Sequence, residues 1–433
     1  MRNVNAETNK SNIGSGKRGL TALLIAQFMG AANDNILKML LSFAVVNGIW
    51  QGKLGQGGQG LIALCLFVPF ILFSGWAGPL ADRHSKRTIA ILMKWCELPL
   101  AIAAGVGFVT GNFWLTAITM ILLATQSTIF SPAKYGMIPE LVPERAISRA
   151  NGILNMTTNI AVITGMIAAG IVSEYFQQGE LLEQSASQNP SLIALVKIWL
   201  PGIVLVGVAI IGIVAIFWLP KLKALDPKIH IPINPMSSYI STGKEMWKSQ
   251  LFRCAIAWAL FYLLATVALL VVTELGKPLQ ASDVTVSYLL ASIGVAVGIG
   301  SLTAGLISKK GVRIKLSRVG SIGLFVSLLV VGVLPVSFWL VLVCLVCLGF
   351  FAGLYAVPLQ SLMQLLALPE RRGRVLATSN AISFLFMAMG SLAYWACRPI
   401  FGNSPQYIFI LCSGVALIAW IICRRITTPD VVE

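Results

Sequence analysis

Residues 199–219 run Trp-Leu-Pro-Gly-Ile-Val-Leu-Val-Gly-Val-Ala-Ile-Ile-Gly-Ile-Val-Ala-Ile-Phe-Trp-Leu without one charged side chain. A helix of about twenty residues is 30 Å long, the thickness of a bilayer's hydrocarbon core. A helix apolar on every face has no side to offer water. The same kind of run recurs along the whole chain. Charged residues are only 11% of the sequence, against about 25% in a soluble domain. Too few polar side chains exist to cover a water-facing surface, which excludes an ordinary soluble enzyme. Disorder is excluded because it needs low hydrophobicity and high charge. A membrane barrel is excluded because it shows alternating segments of about ten residues. The expected class is an all-α membrane protein.

Twelve segments have the length a bilayer needs. They fall at 19–49, 59–80, 88–109, 113–131, 146–174, 199–219, 251–274, 284–307, 316–334, 337–366, 375–396 and 405–423. The net charge of +16 is then read as topology before partners. With both termini in the cytoplasm, 25 Lys and Arg residues lie on the cytoplasmic side. Four lie opposite, at Lys53, Lys197, Lys277 and Arg398. That asymmetry follows the positive-inside rule and accounts for the basic excess without a nucleic-acid partner.

The longest polar connection, 220–250, holds Pro220, Pro227, Pro232 and Pro235, which prevent one continuous helix. The stretch from Ser237 reads as a short basic amphipathic helix on the membrane surface. The expected organisation is a cytoplasmic, unstructured tail over 1–18, a six-helix half over 19–219 and a basic cytoplasmic linker over 220–250. A second six-helix half over 251–423 and a cytoplasmic tail over 424–433 follow. No cleavable signal is read in the first residues. The eight cysteines lie in or near apolar runs and read as small buried hydrophobes. The two histidines, His84 and His230, lie far apart in loops, so no metal or other cofactor is expected.

The halves repeat at a nearly fixed offset. Gly78-Pro-Leu-Ala-Asp-Arg-His-Ser-Lys-Arg87 has a counterpart in Gly305-Leu-Ile-Ser-Lys-Lys-Gly-Val-Arg313, 227 residues later. Pro132 and Pro143-Glu144-Arg145 recur 226 later as Pro358 and Pro369-Glu370-Arg371. Asn151 matches Asn380, 229 later. Such repeats place substrate sites between the halves near the midplane.

The 78–87 segment resembles the signature between the second and third helices of the major facilitator superfamily. Ala31-Ala-Asn-Asp-Asn35, Ser131-Pro-Ala-Lys-Tyr-Gly136 and Arg149-Ala-Asn-Gly152 are similar to motifs of the bacterial lysophospholipid transporter family. The resemblance implies twelve transmembrane helices in two pseudo-repeats, no enzymatic activity and a multi-pass location in the bacterial inner membrane. It also implies a monomer that moves lysophospholipid, such as lysophosphatidylethanolamine, by alternating access with a lateral opening. Relatives are found fused to acyltransferases, so a separate acyltransferase is the expected partner and reacylation in the cytoplasm the expected fate.

An ionisable side chain at mid-bilayer costs a few kcal/mol and marks function by default. The first segment supplies Gln27, Asp34 and Lys38 on one stripe, flanked by Asn33 and Asn35. Asp34 and Lys38 are spaced to pair, as a structural lock or as a wall of the path. The resemblance, which puts this helix on the cavity, favours the path. Lys94 and Glu97 in the third segment are a headgroup contact or a structural pair. Asn155 and Asn159, with Thr158 and Asn151, stripe the fifth segment and are read as path lining; Asn151 is a cap or gate residue. Lys134 holds a phosphate or reaches the interface. Gly78, for close helix approach, Asp82, for a basic residue or helix end of the other half, and Arg83 and Arg87, for acidic loop residues, are read as a cytoplasmic gate, the alternative being topology alone.

Two other functions fit the residues. One is proton-driven export of amphipathic drugs or small metabolites, with Asp34 carrying the proton. The other is a non-transporting scaffold or sensor for an acyltransferase, docked on the 220–250 loop. Gly55-Gln-Gly-Gly-Gln-Gly60 lacks the Lys-Ser/Thr ending of a phosphate loop and reads as an outer hairpin.

Overall fold

A computed structural model describes residues 2–49, 54–185, 192–222, 234–247, 249–308, 312–367 and 372–427. Within these it leaves out the side chains of 2–17, 82, 144–149, 151–152, 238 and 372–374. The main helices are α1 (Arg2–Val46), α2 (Gln59–Arg83), α3 (Lys86–Val109), α4 (Phe113–Leu141), α5 (Glu144–Ser185) and α6 (Leu192–Ile216). A short α7 (Ser237–Met246) leads to α8 (Gln250–Glu274), α9 (Asp283–Ile307), α10 (Ile314–Val333), α11 (Phe338–Leu366), α12 (Arg372–Cys397) and α13 (Ile408–Arg424).

Among the described residues, eleven helices are long and apolar enough to cross a membrane, α2 to α6 and α8 to α13. Outside that set are the ten-residue α7 and the long α1. Its middle carries Gln27, Asn33, Asp34, Asn35 and Lys38, and five such side chains dilute an otherwise apolar stretch. The polar residues that drew attention to α1 in the sequence thus also lower its hydropathy.

Four helices differ from the sequence expectation, among them α6, which begins at Leu192 instead of 199. Helix α1 extends back to Arg2, through the segment expected to be an unstructured tail. Ala6, Glu7 and Lys10 in that segment are good helix formers. Helix α4 continues through Pro132 and Pro139 to Leu141, ten residues beyond the expected end at 131. In a bilayer, neighbouring helices and local adjustment satisfy the carbonyls a proline frees, so proline does not end a helix there as it does in water. Helix α5 runs to Ser185. All eight cysteines are free; Cys254, Cys344, Cys412 and Cys423 are buried as expected, whereas Cys347 is exposed.

The chain forms two compact units, Met1–Leu41 with Leu72–Pro235, and Ser42–Ile71 with Met236–Glu433. In the first unit α3 packs on α4 and α6, and α5 packs on α6. The α3–α6 contact is made through glycine: a Cβ on Gly105 would lie 2.6 Å from the Gly202 Cα. Small residues at crossings let backbones approach and gain dispersion where lipid removes the hydrophobic drive. Ala22, Leu23, Ala90, Met137, Leu154 and Ile216 lie in one buried cluster of this unit.

In the second unit α10 packs on α11 and α13, α9 on α11, and α8 on α12. The third helix of each half therefore holds the fourth and the sixth, α3 with α4 and α6, α10 with α11 and α13. The sequence offset is matched by equivalent helix pairing.

Candidate functional site

The polar centre of the first unit is built around α1. Gln27 is buried and donates from Nε2 to Thr158 Oγ1 on α5 at 3.1 Å. Asn33 is buried and donates from Nδ2 to Glu97 Oε1 on α3 at 2.8 Å. Half-buried Asp34 accepts from Ser127 Oγ on α4 at 2.6 Å. Asn35 donates back to Ala31 O at 2.8 Å and accepts from Lys38 Nζ at 3.1 Å. One helix thus sends hydrogen bonds to α3, α4 and α5. Its position is fixed by polar contacts, each worth about 0.6–2 kcal/mol in a membrane.

Lys94 and Glu97 form an ion pair at 2.6 Å, each side chain 1% exposed. The ammonium sits in a gap left by glycines. A Cβ at Gly30 of α1 would come within 2.7 Å of Lys94 Nζ, and one at Gly212 of α6 within 3.3 Å. Glu97 spends its second oxygen on Asn33. Lys94, Glu97 and Asn33 are therefore one network joining α1 and α3, packed against Gly212 of α6, in which Asn33 Oδ1 is buried without a hydrogen-bond partner among the described residues.

Asn155 and Asn159 on α5 are exposed, and Asn155 Oδ1 accepts from Tyr135 Oη at 3.3 Å. Lys134 is half-buried, with its ammonium 5.2 Å from the Tyr135 ring centre. A cation over an aromatic face is an alternative to a phosphate partner.

At the 78–87 end, two hydrogen bonds tie the loop to the segment that follows α6. Arg87 Nε donates to Leu219 O at 2.8 Å and Ser85 Oγ to Leu222 O at 2.7 Å. These carbonyls belong to the non-helical segment after α6, whose backbone acceptors have no helical partner. Arg87 was expected to pair with an acidic loop residue; its partner here is instead the Leu219 carbonyl. Arg83 is exposed. The expected close approach at Gly78 is not there: a Cβ would meet open space. The close approach is one turn earlier, where a Cβ on Gly75 would lie 2.4 Å from Pro235 O. Asp82 and Asn151 have side chains outside the described residues. Sequence reasoning passed over Lys86, which is buried and pairs with Glu140 at 2.5 Å.

A second polar cluster, in the second unit, was missed. Glu274, the last residue of α8, pairs with Arg398, just past α12, and both are buried. Arg398 Nη1 also donates to Gly402 O at 2.5 Å. Gln59, at the start of α2, donates from Nε2 to Tyr394 Oη at 2.5 Å. Asn47 donates to Asp283 Oδ2 at 2.9 Å. Phe70 stacks on Phe384 with centroids 4.6 Å apart. The available signal was a lone acid and a lone base, each closing a transmembrane run on the face poor in charge.

A sequence model of the Major Facilitator Superfamily matches residues 23–391 and 254–432. The chain belongs to that superfamily. It is therefore a multi-pass membrane transporter and not an enzyme. Within the superfamily it is similar to proteins named lysophospholipid transporter LplT. The one from Cronobacter sakazakii is 25% identical over 419 residues, covering 92% of this chain and 94% of that protein. The one from Klebsiella pneumoniae is 26% identical over 377 residues, 84% of each. Solved superfamily structures share the fold at low identity. A POT family transporter bound to a thioalcohol-conjugated peptide aligns with a TM-score of 0.70 at 13% identity, over 95% of this chain and 97% of that one. A bacterial homologue of the human lysosomal transporter Spinster, inward-facing and unoccupied, aligns at 0.68 and 12%, over 95% and 99%.

Proposed function

We propose that this superfamily member carries lysophospholipid, such as lysophosphatidylethanolamine, across the bacterial inner membrane, with both termini in the cytoplasm and α1 as the twelfth crossing. The observation that carries the reading is the sequence similarity to lysophospholipid transporters, which extends over 92% of the chain at 25% identity. The first unit suits it. A one-tailed lipid keeps its chain in the bilayer while its headgroup crosses, so the protein needs a sparse polar wall and apolar surroundings. Gln27, Asp34, Asn35 and Lys38 on α1, with Asn155 and Asn159 on α5, are that wall. Lys94 and Glu97 stand behind it and hold α1 in place through Asn33. Alternating access with a lateral opening delivers the lipid to a separate cytoplasmic acyltransferase. Gly78, Asp82, Arg83, Arg87, Lys134 and Asn151 are the cytoplasmic gate.

The test is flipping of fluorescent lysophosphatidylethanolamine in proteoliposomes, wild type against Asp34→Asn, with and without a pH gradient. Flipping that falls in the variant supports the reading. No flipping by folded protein overturns it in favour of proton-coupled small substrates.

A further inference from the structure

The second unit contains an open-mouthed cavity of about 310 Å³ between the 55–59 hairpin, the end of α8 and the turn after α12. Its walls include Gln59, Glu274, Lys277, Arg398 and Asn403. No step of the transport reading uses it. It lies at the Glu274 end of α8, away from the Gln250 end.

Three features define what it would hold. The first is charge. Glu274 and Arg398 neutralise each other, and Lys277 is exposed with no ion-pair partner among the described residues. The cavity is therefore one positive charge in excess, which fits a group carrying one negative charge. The second is donor geometry. Arg398 uses Nε on Glu274 and Nη1 on Gly402 O. A guanidinium offers five N–H donors, and these two bonds with the contact to the Tyr394 hydroxyl leave donors over for a ligand. A planar fork beside a lysine is phosphate chemistry.

The third is an unpaired atom. Gln59 is 1% exposed, and its Oε1 is buried without a hydrogen-bond partner. A buried polar group left unpaired costs about 1–3 kcal/mol, so such atoms call for an explanation. The Tyr394 hydroxyl can accept from the amide or donate to it. Whichever way the amide is turned, one half stays unpaired. A hydroxyl, which both donates and accepts, meets either case.

Size limits the rest. About 310 Å³ lies at the lower end of small-molecule pockets. It takes a headgroup and leaves a fatty chain outside. The roof is tight: Gly57, at φ 79°, would place a Cβ 2.7 Å from the Arg398 Cβ.

We propose that this cavity binds the glycerophosphate part of a phosphate ester with a free hydroxyl, its phosphate on Lys277 and Arg398 and its hydroxyl on Gln59. A lysolipid carries that group, and so does a soluble glycerophosphodiester. The site rests on the lysolipid reading only for the choice between these sources. If the lipid is the source, the cavity receives the headgroup at the outer face before the lipid enters the path.

The test is isothermal titration of the full chain in phosphatidylcholine nanodiscs. The probes are sn-glycero-3-phosphoethanolamine, inorganic phosphate and lysophosphatidylethanolamine. The variants are Lys277→Gln, at an exposed position that leaves folding intact, and Gln59→Leu. The diester is expected to bind about tenfold tighter than inorganic phosphate, and Lys277→Gln to weaken both about tenfold. Gln59→Leu is expected to remove the preference while phosphate still binds. No binding by wild type overturns the site, as do wild-type affinities in Lys277→Gln. Displacement of the diester by lysolipid assigns the lipid source; diester binding that lysolipid leaves unchanged assigns the soluble one. Flipping without diester binding overturns the site and leaves the transport reading. Diester binding without flipping does the reverse.

Discussion

Asn33 donates its side-chain amide to Glu97 at 2.8 Å, which ties α1 to α3 through two residues each about 1% exposed. Glu97 holds Lys94 with its other oxygen. The pair therefore sits between helices, where breaking it strands a charge. Glu97→Gln leaves the Lys94 ammonium buried, and a loss of about 3–5 kcal/mol is expected, seen as a large fall in thermal midpoint in detergent. The double variant Lys94→Met/Glu97→Leu is expected to recover most of that loss and to keep transport. A stable double variant without flipping would return Lys94 and Glu97 to the path.

The two hydroxyls that serve α1 separate the path from its scaffold. Ser127→Ala removes one hydrogen bond to Asp34, a net loss of about 1 kcal/mol. The flipping rate is expected to fall only a few-fold, because Asp34 keeps its charge. Asp34→Asn is expected to cost far more rate at similar stability. Initial rates in proteoliposomes at matched protein density decide. Equal losses in the two variants would make Ser127 part of the path.

Most of this fold is legible in the sequence because lipid permits few solutions: a run of apolar residues either spans or is absent. The charged members of the site are legible for the same reason. Lys94, Glu97 and Asp34 stand out because each is costly where it lies. Their partners do not stand out. Ser127 and Thr158 carry hydroxyls that a helix can satisfy on its own preceding turn, as Thr158 also does on Leu154 O. Lys86, Glu274 and Arg398 lie at helix ends, where a charge signals topology as readily as burial. Which ends meet is decided by packing between helices, which one chain's pattern does not encode.

At the 78–87 end the buried member of an ion pair sets the cost. Lys86 is 1% exposed, and its partner Glu140 is 22% exposed. Glu140→Gln leaves a buried ammonium with a neutral partner, whereas Lys86→Met leaves a carboxylate that water can reach. The first is expected to destabilise by about 2–3 kcal/mol and the second by less. Thermal unfolding of the two variants side by side checks the order. The reverse order would mean that Glu140 is the desolvated partner.

Two glycines make opposite predictions for the same substitution. Gly105→Ala pushes a Cβ to 2.6 Å from the Gly202 Cα, so α3 and α6 must part. Overpacking of this kind costs about 1–3 kcal/mol, and the thermal midpoint is expected to drop with flipping following it. Gly78→Ala meets open space in this conformation and is expected to leave the midpoint unchanged. Alanine also suits a helix interior better than glycine, so a slight rise is within reach. The informative reading is flipping by Gly78→Ala. If the 78–87 segment is a gate, its other conformation brings Gly78 against a neighbour, and the rate falls with no change in stability. If the rate is also unchanged, Gly78 has no close contact in either state, and the gate rests on the charged residues alone.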